Sequence, residues 1–136
     1  MQSSSITREH ESREPQAQRP WGQAEVLSKR EGLCVRRLVV NPGARISLQR
    51  HRRRREHWFI VDGIADVDIG GEMSCLCSGQ SVDIASGSWH RLTNVGFGPL
   101  VVMEIQTGDA FDEEDIERGA DDCELSGVAA SFEVCE

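Results

Sequence analysis

Between Arg50 and Gly63 the chain reads RHRRRREHWFIVDG. Five arginines fill the six positions 50–55, interrupted by His51 alone, and Glu56, His57 and Trp58 then lead into an apolar run. Two chemistries compete for such a stretch. A dense run of guanidinium groups suits phosphate oxygens, whether of a nucleic acid or of a small molecule, and also suits a sorting receptor. An imidazole followed by a carboxylate at short spacing suits a divalent metal ion.

The wider spacing favours the second. A first block runs Gly43, five residues, Gln49, one residue, His51, four residues, Glu56, six residues, Gly63. A second runs Gly79, five residues, Ala85, one residue, Gly87, two residues, His90, three residues, Asn94. Together they resemble the paired motifs of the cupin superfamily, G-x5-H-x-H-x3,4-E-x6-G and G-x5-P-x-G-x2-H-x3-N. Gln49 stands where the first His is usual and Ala85 where Pro is usual. The resemblance implies a metal held by Gln49, His51, Glu56 and His90. One amide oxygen, two imidazoles and one carboxylate suit a borderline divalent ion, zinc first, with manganese, cobalt, nickel or iron as alternatives.

The elements that must position these groups are short strands. Side chains at i and i+2 of a strand share a face, so Gln49 and His51 can both point inward. Glu56 then opens the neighbouring strand, and His90 comes from a separate hairpin. His57 alternates to the opposite face from Glu56 and is left out. Strand segments are expected at 32–40, 45–49, 58–61, 64–69, 73–77, 81–84, 89–93 and 100–106, with turns at Asn41-Pro42-Gly43, Gly70-Gly71 and Ser78-Gly79. The fold class is therefore all-β, and the resemblance makes it a single cupin barrel, a double-stranded β-helix or jelly roll. Acidic residues suited to a helix N-terminus predict a short C-terminal helix from Asp112 to Arg118. Residues 1–18 read as a disordered polar tail, 19–122 as the cupin domain, and 123–136 as a tail or added strand.

Composition bounds the rest. A chain of 136 residues suits one domain with one core. With aromatics at 5% and no Tyr, that core must rest on Val, Ile and Leu. The net charge of -8 argues against a nucleic-acid partner, although arginines crowd 45–55 and acids crowd 109–124. Five cysteines, Cys34, Cys75, Cys77, Cys123 and Cys135, fit no zinc framework and read as reduced thiols. No signal peptide is visible and no apolar run approaches the ~18 residues that span a bilayer, so a soluble cytoplasmic protein without a membrane partner is expected.

A narrower likeness rests on several stretches. They are Arg19-Pro20-Trp21-Gly22, Pro42-Gly43 with Ser47-Leu48-Gln49, Glu56-His57-Trp58, His90-Arg91-Leu92 with Asn94, and Glu104-Ile105-Gln106-Thr107-Gly108 followed by Glu113-Glu114-Asp115-Ile116. Over residues 19–122 the chain resembles the type II mannose-6-phosphate isomerase domain, usually the C-terminal part of bifunctional mannose-1-phosphate guanylyltransferase/mannose-6-phosphate isomerase enzymes. The chain is too short for the guanylyltransferase part, so a stand-alone domain without sugar-nucleotide transfer is expected. The family carries extra His where this chain has Arg52 and Arg53, and a small Ala at Arg55.

The resemblance implies metal-dependent interconversion of mannose 6-phosphate and fructose 6-phosphate, in nucleotide-sugar and polysaccharide precursor metabolism. A proton moves between C1 and C2 through an enediolate, whose charge a cation can stabilise. Arg54 matches the family's loop Arg and is the first catalytic candidate. Arg91 also matches, although alternation aims it away from the metal. A phosphate clamp is sought among Arg45, Arg50 and Arg52 to Arg55, and a homodimer paired through sheet edges is expected. For the arginine run itself three readings stand: a solvated loop, a phosphate or nucleotide-sugar contact, and a nucleic-acid or sorting signal. Two alternatives stand beside the isomerase: a non-catalytic cupin that binds a sugar phosphate, nucleotide sugar or partner protein, and another metallo-cupin activity such as an oxygenase.

Overall fold

A computed structural model describes residues 17–119. Those residues form two antiparallel sheets facing each other. The strands in chain order are β1 (Ala17–Arg19), β2 (Gly22–Arg30), β3 (Leu33–Val40), β4 (Gln49–Arg50), β5 (Arg54–Asp62), β6 (Ile64–Ile69), β7 (Glu72–Cys77), β8 (Ser81–Ile84), β9 (His90–Asn94), β10 (Leu100–Gly108) and β11 (Glu117–Arg118). One sheet has the order β1-β2-β3-β10-β5-β8 and the other β11-β4-β9-β6-β7.

Period-two alternation explains why these segments are strands and which face they bury. In β5, Arg54, Glu56, Trp58 and Ile60 are buried while Arg55 and Phe59 face out. In β10, Leu100, Val102, Glu104 and Gln106 are the buried set. Cross-strand register stacks these faces into rows. Leu38, Val102 and Ile60 form one row, Arg36, Glu104 and Trp58 the next, and Cys34, Gln106 and Glu56 the third. The interior is thus apolar at one end, where Val40 and Leu100 also pack, and polar at the other. The second sheet closes over it with Val67 and Leu92, and Ile46 packs in from the segment before β4. That polar end is where the site lies.

The Gly70-Gly71 hairpin forms as expected, with φ of 62° and 92° at its two loop residues, the combination a two-residue connection of this hand requires. Other expectations need correction. The short helix predicted over 112–118 is a 3-10 turn at Glu113–Asp115 followed by strand β11, because Glu117 and Arg118 pair with Arg50 and Gln49 instead of continuing a helix. Within 45–49, only Gln49 joins a regular strand, while Arg45 forms an isolated bridge to Thr93. Strand β2 went unforeseen, since QAEVLSKR has no clean alternation, and a bulge between Val26 and Ser28 breaks its register. Ala17 and Gln18 pair with β2, and the rest of the tail read at 1–18 lies outside the described residues, as do 123–136.

Candidate metal centre

His51, Glu56 and His90 converge although they come from three places in the chain. Glu56 is the second inward group on the β5 face and His90 opens β9. His51 follows β4, whose Gln49 lies directly opposite His90. The three ligand atoms lie within 4.8 Å of one another, and all three residues are buried. Glu56 Oε2 is 2.9 Å from His51 Nε2, and Glu56 Oε1 is 3.7 Å from His90 Nε2.

Both imidazoles are oriented through their other nitrogen. His51 Nδ1 lies 3.2 Å from the Asp115 carbonyl and His90 Nδ1 2.9 Å from the Ser88 carbonyl. A carbonyl accepts only, so each Nδ1 carries the proton and each Nε2 presents its lone pair to the centre. Burial pushes His90 toward its neutral form, which preserves that lone pair. Burial works against ionising Glu56, but positive charge on His51 and His90 beside it outweighs that and holds its carboxyl down at about 2; with the imidazoles neutral, a bound cation would take over that role.

His51 Nε2 and Glu56 Oε1 are fully buried without a hydrogen-bond partner; with its proton on Nδ1, His51 Nε2 has nothing to donate to Glu56 Oε2 at 2.9 Å. Leaving such groups unpaired costs about 1–3 kcal/mol each. A divalent cation satisfies both at once. Two nitrogen lone pairs and a carboxylate, each inward-facing, fit that group.

Around Glu56 runs a buried polar chain that sequence reasoning missed. Gln106 Nε2 donates to Glu56 Oε2 at 3.0 Å and lies 3.3 Å from Glu104 Oε1. Glu104 also accepts from Trp58 Nε1 at 3.0 Å and from Arg36 Nε at 2.7 Å. Its carboxyl is raised by burial and then by the charge of Glu56. The signal was present in LVVMEIQTG, where Glu104 and Gln106 are a polar pair at i, i+2 within an apolar strand. Trp58 is fully buried in the core, with its ring 5.6 Å from that of His90.

The other predicted residues divide. Gln49 lines a cavity of about 280 Å³ together with His51 and Arg54, and its amide nitrogen is occupied by Ser47 Oγ at 2.7 Å. Arg54 is buried, its Nε 3.3 Å from Asp115 Oδ2 and its Nη2 donating to the Asp112 carbonyl at 2.7 Å. Arg91 stands beside His90, opposite Asp68 on β6, and is not among the residues that line the cavity. His57 faces out, as expected, and meets Asp83 at 2.7 Å.

Four of the five arginines in the run meet carboxylates within the chain, Arg50 and Arg52 sharing Glu117. Arg50 meets Glu117 at 2.8 Å and Arg53 meets Asp109 at 3.0 Å. Arg52 and Arg53 donate backbone N–H groups to the Asp115 carboxylate, which also takes Arg54. Asp115 therefore binds the loop and, through its carbonyl, His51. Those donors outweigh the effect of its burial and lower its pKa.

Comparison with known proteins agrees with this geometry. Residues 6–121 match the family model described as mannose-6-phosphate isomerase C-terminal. The chain is 43% identical over 103 residues to a xanthan biosynthesis protein XanB of Xanthomonas campestris pv. campestris, covering 76% of this chain and 22% of that protein. It is 40% identical over 114 residues to a putative mannose-1-phosphate guanylyltransferase of Vibrio cholerae, covering 84% of this chain and 24% of that one. The chain thus spans less than a quarter of either relative. Among solved structures, a Klebsiella pneumoniae protein with a double-stranded β-helix domain aligns at TM-score 0.63 and 19% identity, covering 70% of this chain and 81% of that one. The fold is that of the cupins.

Proposed function

Because this chain belongs to the mannose-6-phosphate isomerase C-terminal family, we propose that it interconverts mannose 6-phosphate and fructose 6-phosphate with a divalent metal ion. The observation that carries the reading is the buried His51–Glu56–His90 cluster with its two orphaned ligand atoms, bordering a cavity that Gln49 and Arg54 also line. His51 Nε2, His90 Nε2 and the Glu56 carboxylate would hold the metal, with the Gln49 amide oxygen as a fourth donor. Two nitrogens with oxygen donors suit zinc first. Bound there, the ion supplies Lewis acidity toward the substrate's C1 and C2 oxygens.

The chain's own residues do the rest. The two backbone carbonyls fix the imidazoles, and Gln106 fixes Glu56. Arg54 has N–H donors beyond the two it gives to Asp115 and Asp112, and these can meet an enediolate oxygen at a wall of low dielectric. Arg91, outside the cavity wall, is not assigned a step. The XanB relative suggests a setting in polysaccharide precursor supply, which we place in the cytoplasm.

A coupled assay with both hexose phosphates, across added zinc, manganese, cobalt and nickel, tests this. Metal-dependent turnover that vanishes in His51→Ala supports it. Binding of either hexose phosphate without turnover under any metal would instead make the chain a binding cupin.

A further inference from the structure

We propose that Lys29, with Arg36 beneath it, forms the subsite that holds the substrate phosphate. This rests on the hexose-phosphate reading above, and it places the phosphate at the β2 side of the cavity, across β3 and β10 from the arginine run on β5.

A bulge in β2 sets the position of Lys29. Val26 pairs with Arg36, but Ser28 pairs with Val35 and Lys29 with Cys34, so Leu27 is the extra residue. In an unbroken ladder Ser28 would sit opposite Cys34. The bulge moves Lys29 into that place, on the side of the sheet that Cys34 and Arg36 share, where it stands exposed at the cavity's rim. Re-aiming a side chain beside a functional site is a known consequence of such bulges.

The register then connects Lys29 to the metal ligands. Lys29 pairs with Cys34, Cys34 with Gln106, and Gln106 with Glu56. Lys29 and Glu56 are therefore the ends of one cross-strand row, about 14 Å apart at three strand spacings, less the reach of the two side chains. Lys29, Arg36 and His51 line the same cavity, and Lys29 also borders a wider one beside Gly108 and Asp109. A six-carbon phosphate ester carries its reacting C1 and C2 at one end and its phosphate at the other, and this row offers a metal cluster and a cation at the corresponding places.

Charge accounting selects Lys29. Arg50, Arg52, Arg53 and Arg54 each face a carboxylate within 4.0 Å, and Arg55 points outward. Arg36 is matched by Glu104 at 2.7 Å. Among the described residues no carboxylate forms an ion pair with Lys29. Of the two acids lining this cavity, Glu113 meets Arg118 at 3.6 Å, while Asp112 has no ion pair among the described residues. A phosphate dianion beside Lys29 is attracted by its ammonium and opposed by Asp112.

The test compares zinc-loaded wild-type protein with Lys29→Ala, Asp112→Asn and, as a charge-matched control on the outer face, Arg55→Ala. Mannose 6-phosphate, mannose and inorganic phosphate are titrated calorimetrically, and KM and kcat are measured alongside. We expect Lys29→Ala to weaken both phosphate-bearing ligands about tenfold and raise KM correspondingly, with mannose binding and kcat within about twofold of wild type. Asp112→Asn should tighten the same two ligands, and Arg55→Ala should change none. A Lys29→Ala variant with unchanged affinity and KM, or a wild type that binds mannose as well as its phosphate, overturns the proposal. Lys29-dependent phosphate binding without any turnover would sink the isomerase reading and leave the subsite standing. Turnover with no dependence on Lys29 would do the reverse.

Discussion

At the scale of the residue, the centre depends on groups that hold other groups. Gln106 touches no ligand-binding atom of the histidines, yet it donates to the Glu56 carboxylate from within the core. Gln106→Leu should lower zinc affinity by about 10–100-fold while leaving the fold intact, measured by competition with a chromophoric chelator. Asp115 has a second kind of leverage, since three donors from Arg52, Arg53 and Arg54 converge on its carboxylate. Asp115→Asn should destabilise the protein by roughly 2 kcal/mol in urea unfolding at neutral pH. The pH dependence has a definite sign. The pKa of Asp115 in the folded protein lies below its ordinary 3.8, so its contribution is complete above that value and is lost as the pH falls through it. The gap between wild type and Asp115→Asn should therefore narrow below about pH 4, and a gap that widens in acid would contradict the assignment.

At the scale of the element, the sequence carried most of the candidate metal cluster and little of what surrounds it. His51, Glu56 and His90 were legible because each sits at a fixed offset in one of two local blocks that resemble the cupin motifs. Glu104, Gln106 and Arg36 were not singled out, because their role arises from rows that cross β3, β10 and β5, and register between distant strands has no local signal. The segment after β10 shows the same limit. Its acids looked like a helix start, but they are used as partners for the arginine loop and end in β11. That segment is joined to β5 through Gly108, whose φ is 150° and where an added Cβ would run into the Arg53 carbonyl. Gly108→Ala should cost about 1–3 kcal/mol of stability by denaturant unfolding and loosen Arg54 with it, since backbone must move to accept the methyl group.

At the scale of the whole molecule, the barrel has an apolar end that supplies stability and a polar end that has not fully satisfied its own buried groups. Metal binding should close that deficit. Zinc should raise the melting temperature in proportion to the logarithm of its free concentration, and a chelator should reverse the shift; no shift with any divalent ion would remove the metal from the account. Among the described residues no helix is long and apolar enough to cross a membrane. Among the described residues the sheets end in β1 and β8 and in β11 and β7 with no further strand paired to them, and we expect a homodimer by light scattering. The central claim is the transfer of a carbon-bound proton at this site. It is met most directly by following mannose 6-phosphate in deuterated water by NMR with zinc-loaded protein. The account predicts conversion to fructose 6-phosphate with deuterium entering at the carbon that accepts the proton, abolished in His51→Ala. Hexose phosphate that binds the loaded protein yet keeps its C2 proton and never isomerises would contradict it.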